Sequence, residues 1–156
     1  MTELNFFTAN AGLADVAKLE VPELKLMYRI EMAGELFYNI LADRVGNETA
    51  ADLLRKNAVE ERGHARRLAR MISIKLGTEW EPSAEEAELL AVPLPNAIDA
   101  EMFASVVQGE INGDAGYQRW ADAETDEEVE RLLRLNGREE TIHAGRAQQV
   151  YDLLTA

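Results

Sequence analysis

The segment that decides the fold is EETIH at residues 139–143, which repeats an earlier segment, EERGH at residues 60–64. Each segment ends in a Glu-x-x-His pair, and the two pairs contain the only histidines in the chain, His64 and His143. Positions i and i+3 of an α-helix lie on the same face, so each pair directs a carboxylate and an imidazole towards one point. The pattern therefore predicts two helices that present metal-binding side chains to a shared interior.

The similarity between the two segments continues along the chain at a constant spacing of 79 residues. Residues 53–64 and 132–143 are identical at seven of twelve aligned positions. Four further positions correspond at this spacing: Glu31 with Glu110, Gly34 with Gly113, Glu35 with Asp114, and Tyr38 with Tyr117. Two copies are too few for a solenoid, which needs at least three repeats, so we expect two similar helical hairpins related by two-fold symmetry.

The composition restricts the class of protein. The 156 residues include no Cys, which excludes disulfides, thiolate metal sites and a rubredoxin-type centre. The net charge of −13 argues against nucleic acid and anionic membranes as partners. No apolar run approaches the ~20 residues of a membrane span, and the N-terminus does not resemble a signal peptide. These features predict a single-domain, soluble, cytoplasmic protein.

Helix start and stop signals predict an all-α fold. Residues 1–21 are expected to be an N-terminal arm, with a weak helical pattern near residues 14–19, that is either loose or packed on a partner subunit. Residues 22–156 are expected to form a four-helix bundle of two hairpins. The predicted elements are long helices at 22–45, 48–76 and 96–123, a last helix from the capping box at 125–128, and a short helix at 83–90 in the crossover between 77 and 96.

Four glutamates are predicted to lie at one level of this bundle. In each hairpin, two of them lie 15 residues on either side of the turn: Glu31 and Glu61 about Gly46, and Glu110 and Glu140 about Thr125. At 1.5 Å per residue, each lies ~22 Å from its turn, near the middle of its helix. Four carboxylates and two imidazoles are therefore expected to meet inside the bundle.

Two interpretations of this cluster are open. The glutamates are either solvated helix residues with histidines satisfied in the core, or ligands of metal ions. Apolar residues bracket Glu31 and Glu140, and burying four like charges without a cation costs several kcal/mol each or forces protonation. Two divalent metals balance the four carboxylates, which favours the metal interpretation.

One Glu from each of two helices, plus Glu-x-x-His from each of the other two, resembles the ligand set of the ferritin-like di-iron carboxylate proteins. The chain is most similar to their rubrerythrin branch, the erythrins, including members with symerythrin-like internal symmetry. The resemblance covers Pro22 to Leu154 and implies a ferritin-like bundle. It implies six metal ligands, with Glu61 and Glu140 as bridges between two metals: Glu31, Glu61, His64, Glu110, Glu140 and His143.

The resemblance also implies roles beside the metals. Tyr38 and Tyr117 look like the erythrin tyrosines that donate hydrogen bonds at the metal site, although ordinary core packing is an equal alternative. Rubrerythrins carry an additional Glu three residues after the third-helix ligand, where this chain has Gly113. Glu35 and Asp114 are candidates for extra carboxylate ligands, or alternatively for salt-bridge partners.

The leading functional hypothesis is an oxidoreductase of peroxidase or oxidase type. Its centre holds two iron ions, with manganese or zinc as alternatives, and reacts with hydrogen peroxide or dioxygen. Because the chain lacks Cys, electrons are expected from a separate donor protein. A homodimer is also expected.

Three alternatives remain open at this stage. The first is an oxygenase for a small organic substrate, with a pocket opened by Gly109, Gly113 and Gly116, although such residues more often allow helices to pack closely. The second is iron oxidation and storage as in bacterioferritin, which the lack of a clear fifth helix after Ala156 weakens. The third is a metal-free interaction bundle.

Overall fold

The computed structural model describes residues 4–156, so the first three residues of the predicted arm lie outside the described residues. Five helices contain most of the chain: α1 Phe6–Leu13, α2 Val21–Arg44, α3 Glu48–Leu76, α4 Ala100–Ala123 and α5 Glu127–Thr155. Within residues 4–156 the only β-type pairing is an isolated bridge between Asn5 and Ala91. The predicted all-α, ferritin-like fold class is confirmed.

The four long helices form two hairpins, α2–α3 and α4–α5, which meet along α3 and α5. On the opposite side, no Cα atom of α2 comes within 8 Å of a Cα atom of α4. The short helix α1 packs against α2 on this open side. The long connection between residues 77 and 99 carries the chain from the first hairpin to the second, as predicted.

Local signals define most helix ends as expected. Asn47 caps α3 by accepting a hydrogen bond from the Ala50 amide at 2.9 Å. Gly77 ends α3 at φ 71°, a left-handed conformation that glycine adopts without a Cβ penalty. Two predicted starts differ: Asp126 rather than Thr125 caps α5, and α4 begins at Ala100 instead of residue 96.

The short helix predicted at residues 83–90 is wrong, although its capping box forms. The Glu86 amide donates to Ser83 Oγ at 3.2 Å, and the Ser83 amide donates to Glu86 Oε1 at 3.0 Å. Only one turn follows, with the Ala87 amide bonded to the Ser83 carbonyl. An isolated turn is costly to extend without packing, and this exposed segment buries little before Leu90.

The helical pattern expected near residues 14–19 is also wrong, because the N-terminal helix lies earlier, at Phe6–Leu13. Asn5 starts it through a capping box, in which its side chain accepts from the Thr8 amide at 3.0 Å and Thr8 Oγ1 accepts from the Asn5 amide at 2.8 Å. The helix then buries Ala9 and Leu13 against the bundle. Capping and burial outweigh the weak helical pattern that follows.

Two apolar clusters form the core, one towards each end of the bundle. The first includes Leu24, Leu68 and Leu133, and the second includes Leu41 and Leu54. A layer of buried polar side chains lies between them along the helices: Glu31, Asn57, Glu61, His64, Asn136, Glu140 and His143. These polar side chains therefore lie near the middle of the bundle, between the two apolar clusters. No helix in residues 4–156 is both long enough and apolar enough to be a membrane span.

Candidate metal centre

The polar layer contains two groups of side chains that are arranged as metal donors. The first group is Glu31, Glu61, His64 and Glu140, and the second is Glu61, Glu110, Glu140 and His143. Within each group, one donor atom from every residue lies within 4.8 Å of the others. The structure therefore places all six sequence-predicted ligands together, and the two groups share Glu61 and Glu140, the pair expected to bridge.

One atom of each of these six residues is buried and makes no hydrogen bond outside the two donor groups. Among residues 4–156, the only other buried side-chain oxygen or nitrogen in this state is Oε2 of Glu23. A buried polar atom without a partner costs about 1–3 kcal/mol, and a charged group costs more. The donor set therefore fits metal ions. The unpartnered atoms are Glu31 Oε2, Glu61 Oε1, His64 Nδ1, Glu110 Oε2, Glu140 Oε1 and His143 Nδ1.

Each imidazole lies closer to the shared carboxylate of the opposite hairpin than to that of its own helix. His64 Nδ1 is 2.8 Å from Glu140 Oε1 and 3.8 Å from Glu61 Oε1. His143 Nδ1 is 2.6 Å from Glu61 Oε1 and 3.9 Å from Glu140 Oε1. Each donor group is therefore completed by residues from both hairpins.

The outer nitrogen of each histidine contacts a glutamate that the sequence analysis did not identify as a site residue. His64 Nε2 lies 3.0 Å from Glu139 Oε1, and His143 Nε2 lies 3.1 Å from Glu60 Oε1. A carboxylate partner favours a proton on Nε2, which leaves the lone pair of Nδ1 for a metal. Glu60 and Glu139 therefore orient the two imidazoles for binding.

An arginine and an asparagine complete each of these pairs. Arg67 donates to Glu139 at 2.7 Å and 3.2 Å and to Asn136 Oδ1 at 3.1 Å. The Asn136 amide in turn donates to the His64 carbonyl at 3.3 Å. Burial raises the pKa of the Glu139 carboxyl, but the hydrogen bonds and charge of Arg67 lower it overall, so Glu139 stays anionic.

The second hairpin is served by the same arrangement. Arg146 donates to Glu60 at 2.9 Å and 3.1 Å and to Asn57 Oδ1 at 3.0 Å. The Asn57 amide donates to the His143 carbonyl at 3.2 Å. The signal for these missed residues was present in the sequence, because Asn57, Glu60 and Arg67 recur 79 residues later as Asn136, Glu139 and Arg146.

The two tyrosines join α2 and α4 beside the donor groups, because each donates a hydrogen bond to a candidate ligand on the other helix. The Tyr38 hydroxyl donates to Glu110 Oε1 at 2.5 Å, and the Tyr117 hydroxyl donates to Glu31 Oε1 at 2.6 Å. Burial and the neighbouring carboxylates raise the pKa of both tyrosines well above the ordinary value, so both remain protonated donors. Each bond occupies one carboxylate oxygen and leaves the other facing the donor group.

The electrostatics of the carboxylates favour a cation. Burial, followed by repulsion from neighbouring carboxylates, raises the pKa of Glu61, Glu110 and Glu140 well above the ordinary value. Burial also raises the pKa of Glu31, but interactions with His64 lower it overall. In the metal-free protein, protons therefore neutralise part of the cluster, and a divalent cation would displace them.

The two histidines differ in pKa, and therefore in their tendency to carry a positive charge. Burial lowers the pKa of His64, but the carboxylates of Glu31 and Glu139 outweigh it and the net pKa is raised. Burial and the positive charge of His64 lower the pKa of His143 to about 4. The two rings stack with centroids 5.2 Å apart, which disfavours two imidazolium ions at once.

Glu35 and Asp114, the candidate extra ligands, belong to neither donor group. Glu35 pairs with Arg62 at 2.7 Å, and Asp114 accepts from Thr141 Oγ1 at 2.5 Å and from Gln118 at 2.9 Å. Glu35 thus forms a salt bridge, as the alternative expected, whereas Asp114 bonds to neutral side chains instead.

Two glycines leave room for the shared carboxylates. A Cβ added at Gly34 would collide with Glu61 Oε2, and one at Gly113 would lie 3.0 Å from Glu140 Oε2. The additional Glu that the resemblance to rubrerythrins implies for position 113 would therefore require Glu140 to move.

A cavity of about 1090 Å³ lies beside the donor groups, lined by α1, α2 and α4 and by the end of the crossover. Four of the six predicted ligands line it: Glu31, Glu61, Glu110 and Glu140. Gly109, Gly113 and Gly116 also line it, as the sequence analysis anticipated for a pocket. The candidate centre is thus accessible from the open side of the bundle.

Comparison with known families agrees with this geometry. The statistical model of the Rubrerythrin family matches residues 23–151, which is most of the chain and includes all six candidate ligands. Searches of curated proteins and of solved structures gave no significant match. Rubrerythrin-family proteins bind di-iron centres, and the buried Glu and His donors fit such a centre. The chain belongs to the ferritin-like rubrerythrin family.

Proposed function

We propose that this chain is a di-iron redox enzyme that reacts with hydrogen peroxide or dioxygen. The observation that carries the proposal is the set of six buried, unpartnered donor atoms in two groups that share Glu61 and Glu140. Carboxylate and imidazole donors suit iron, with manganese as an alternative and zinc as a redox-silent occupant. When bound, two ferrous ions would supply two electrons. This is the number needed to reduce one hydrogen peroxide, together with two protons, to two waters.

The side chains have distinct roles in this proposal. Glu31, Glu61, Glu110 and Glu140 supply four negative charges, which balance two divalent cations. Tyr38 and Tyr117 hold hydroxyl protons at the donor groups, where their raised pKa values keep them as hydrogen-bond donors. The oxidant enters through the cavity, and a separate electron-donor protein restores the reduced state because the chain has no Cys for an iron–sulfur centre.

Stopped-flow spectroscopy of the anaerobically iron-loaded protein tests this proposal. We expect oxidation of the ferrous protein by hydrogen peroxide or dioxygen, and no reaction with either oxidant would refute it. Tyr38→Phe and Tyr117→Phe should retain iron but slow oxidation by about tenfold or more, because a positioned proton donor contributes about 10²–10⁴-fold. Tyr28→Phe is the matched control, since Tyr28 packs edge-on against Trp80 and belongs to neither donor group.

A second candidate function, oxygenation of an organic substrate, is favoured by the cavity. Its volume of about 1090 Å³ is far larger than the share of one water molecule in the liquid, about 30 Å³. Peroxide or dioxygen alone does not need this space. Product analysis after oxidation with an isotopically labelled oxidant and a candidate substrate separates the two functions, because an oxygenase inserts an oxygen atom of the oxidant into the product, whereas a peroxidase releases it as water.

A further inference from the structure

The cavity beside the candidate metal centre is bounded on several sides by this chain alone. The helix α1 supplies lining residues that include Phe6 and Leu13, and α2 and α4 supply others that include Ile30 and Val106. Four ligand carboxylates lie among its lining residues. Because α1 lies over part of the open side of the bundle, the space is a half-open groove instead of a flat face. A small molecule fits such a space better than the surface of another protein.

The position of α1 over the open side is maintained by contacts at both ends of the segment. Phe6 stacks on Phe37 of α2 with ring centroids 5.2 Å apart. Beyond the helix, the Trp120 indole donates to the Val16 carbonyl at 2.7 Å, and Arg119 donates to the Ala14 carbonyl at 3.1 Å. The segment thus spans from α2 to α4, the two long helices whose Cα atoms stay more than 8 Å apart.

The charges of the lining select against an anion. Arg119 is the only Lys or Arg among the lining residues, and it is engaged with a backbone carbonyl. Asp99 and Glu101 add negative charge where exposed residues line the cavity, and the ligand carboxylates lie at its inner side. A carboxylate or phosphate headgroup would meet no free cationic side chain here. Apolar side chains provide most of the remaining contact surface.

The size of the cavity is matched to an organic ligand. Ligand pockets typically enclose about 300–1,000 Å³, and this cavity slightly exceeds that range at about 1090 Å³. Small residues of α4 create part of the space: a Cβ added at Gly109 would meet no atom within 4 Å outside its own surroundings in the helix. A larger side chain at this position would project into free volume.

We propose that this cavity binds a neutral, elongated apolar molecule, such as an aliphatic alcohol or aldehyde, with one end beside the candidate metal centre. The binding of this ligand is argued from the cavity alone. Its assignment as a substrate rests on the proposed redox function. It names the substrate class for the oxygenase alternative.

Calorimetric titration of the iron-loaded, anaerobic full-length chain with 1-decanol tests the proposal, with decanoate as the anionic probe of equal chain length. We expect 1-decanol to bind, and decanoate to bind at least tenfold more weakly. Gly109→Leu should weaken 1-decanol binding at least tenfold with unchanged iron content. Gly145→Leu is the matched control, because Gly145 is, like Gly109, an exposed helical residue with no atom within 4 Å of an added Cβ, but it does not line the cavity. Ser105→Phe provides a second filling variant if Gly109→Leu fails to fold.

Several results would overturn the proposal. These are no binding of 1-decanol, equal binding of decanoate, or equal weakening by Gly109→Leu and Gly145→Leu. Sedimentation of the wild type as a dimer that Gly109→Leu dissociates would instead assign the cavity to a second copy of the chain. The proposed redox function can fail separately. Binding of 1-decanol without reaction with either oxidant would support the binding site and refute the proposed enzyme activity.

Discussion

The two hairpins orient the donor groups through equivalent contacts. Each contact recurs between the corresponding residues of the other hairpin, 79 positions away in the sequence. Tyr38 bonds to Glu110 as Tyr117 bonds to Glu31, and His64 contacts Glu139 as His143 contacts Glu60. All four contacts join one hairpin to the other. Neither hairpin could therefore orient its own ligands alone, and the repeat is maintained where the two halves meet.

The hairpins differ away from this shared layer. Glu31 is more buried than Glu110, with side-chain exposures of 4% and 11%. Ala58 of the first hairpin corresponds to Gly137 of the second, where a Cβ would lie 2.9 Å from the Tyr117 Cβ. The comparison shows that symmetry is retained in the donor groups, whereas packing between the helices of each hairpin has diverged.

The largest expected effect separates shared ligands from unshared ones. Glu140→Gln should greatly reduce binding of both metals, because Glu140 belongs to both donor groups. Glu31→Gln and Glu110→Gln should each weaken mainly one metal, because each residue belongs to only one donor group. Iron analysis after anaerobic loading measures the difference. Equal iron loss in all three variants would show that Glu140 is not a bridge.

The next prediction tests whether the two carboxylates that contact the histidines, Glu139 and Glu60, contribute equally to metal affinity. Glu139→Gln and Glu60→Gln should each lower metal affinity, and residues that orient ligands typically contribute about 10–100-fold. Competition with a chromophoric chelator measures the affinities. Glu128→Gln is a control, because Glu128 pairs with Arg131 on the exposed surface. Unequal losses would show that one donor group depends less on its orienting carboxylate.

A smaller effect is expected where the hairpins diverge. Gly137→Ala places a methyl group 2.6 Å from Gln118 Nε2 and 2.9 Å from the Tyr117 Cβ, so we expect destabilisation of about 1–2 kcal/mol from overpacking. Gly145→Ala, in open space, should instead stabilise the protein by up to about 1 kcal/mol through helix propensity. Thermal melting measures both changes. A Gly137→Ala protein that melts as high as Gly145→Ala would contradict the close packing of α4 on α5.

The smallest effect is a pH dependence of the metal-free protein. Folding raises the pKa of Glu140 above its ordinary 4.5, so its stabilising contribution is present below that value and is lost as pH rises through the folded pKa. Glu140→Gln removes this loss. The metal-free variant should therefore melt close to the wild type in acid and higher near neutral pH, by about 2–4 °C for each kcal/mol.

Comparing the two melting temperatures across pH isolates Glu140 from the other titrating groups, because the wild type and the variant share them all. A variant that melts much lower than the wild type near neutral pH would identify Glu140 as a structural ion-pair partner. That result would remove the electrostatic support for a metal site at this position.

Much of the candidate site was predictable because the chain repeats itself. The spacing of Glu31, Glu61, Glu110 and Glu140 about two turns predicted one level in the bundle, and the structure brings them together. The repeat also contained Glu60 and Arg67, which sequence analysis left unassigned. Charged residues on helices are usually solvated, and only the packed structure shows that these contact the buried histidines.

The sequence by itself determined the long helices and their turns and predicted the six candidate donor residues, since helical periodicity and capping act through neighbours along the chain. Local signals did not suffice at the capping box of residues 83–86, which nucleates a turn without apolar packing to extend it. Only the tertiary structure decided that α1 would lie over the open side of the bundle and leave a cavity beside the donor groups. The physical reason is that a cavity is the space left between distant segments, so no local pattern encodes its volume.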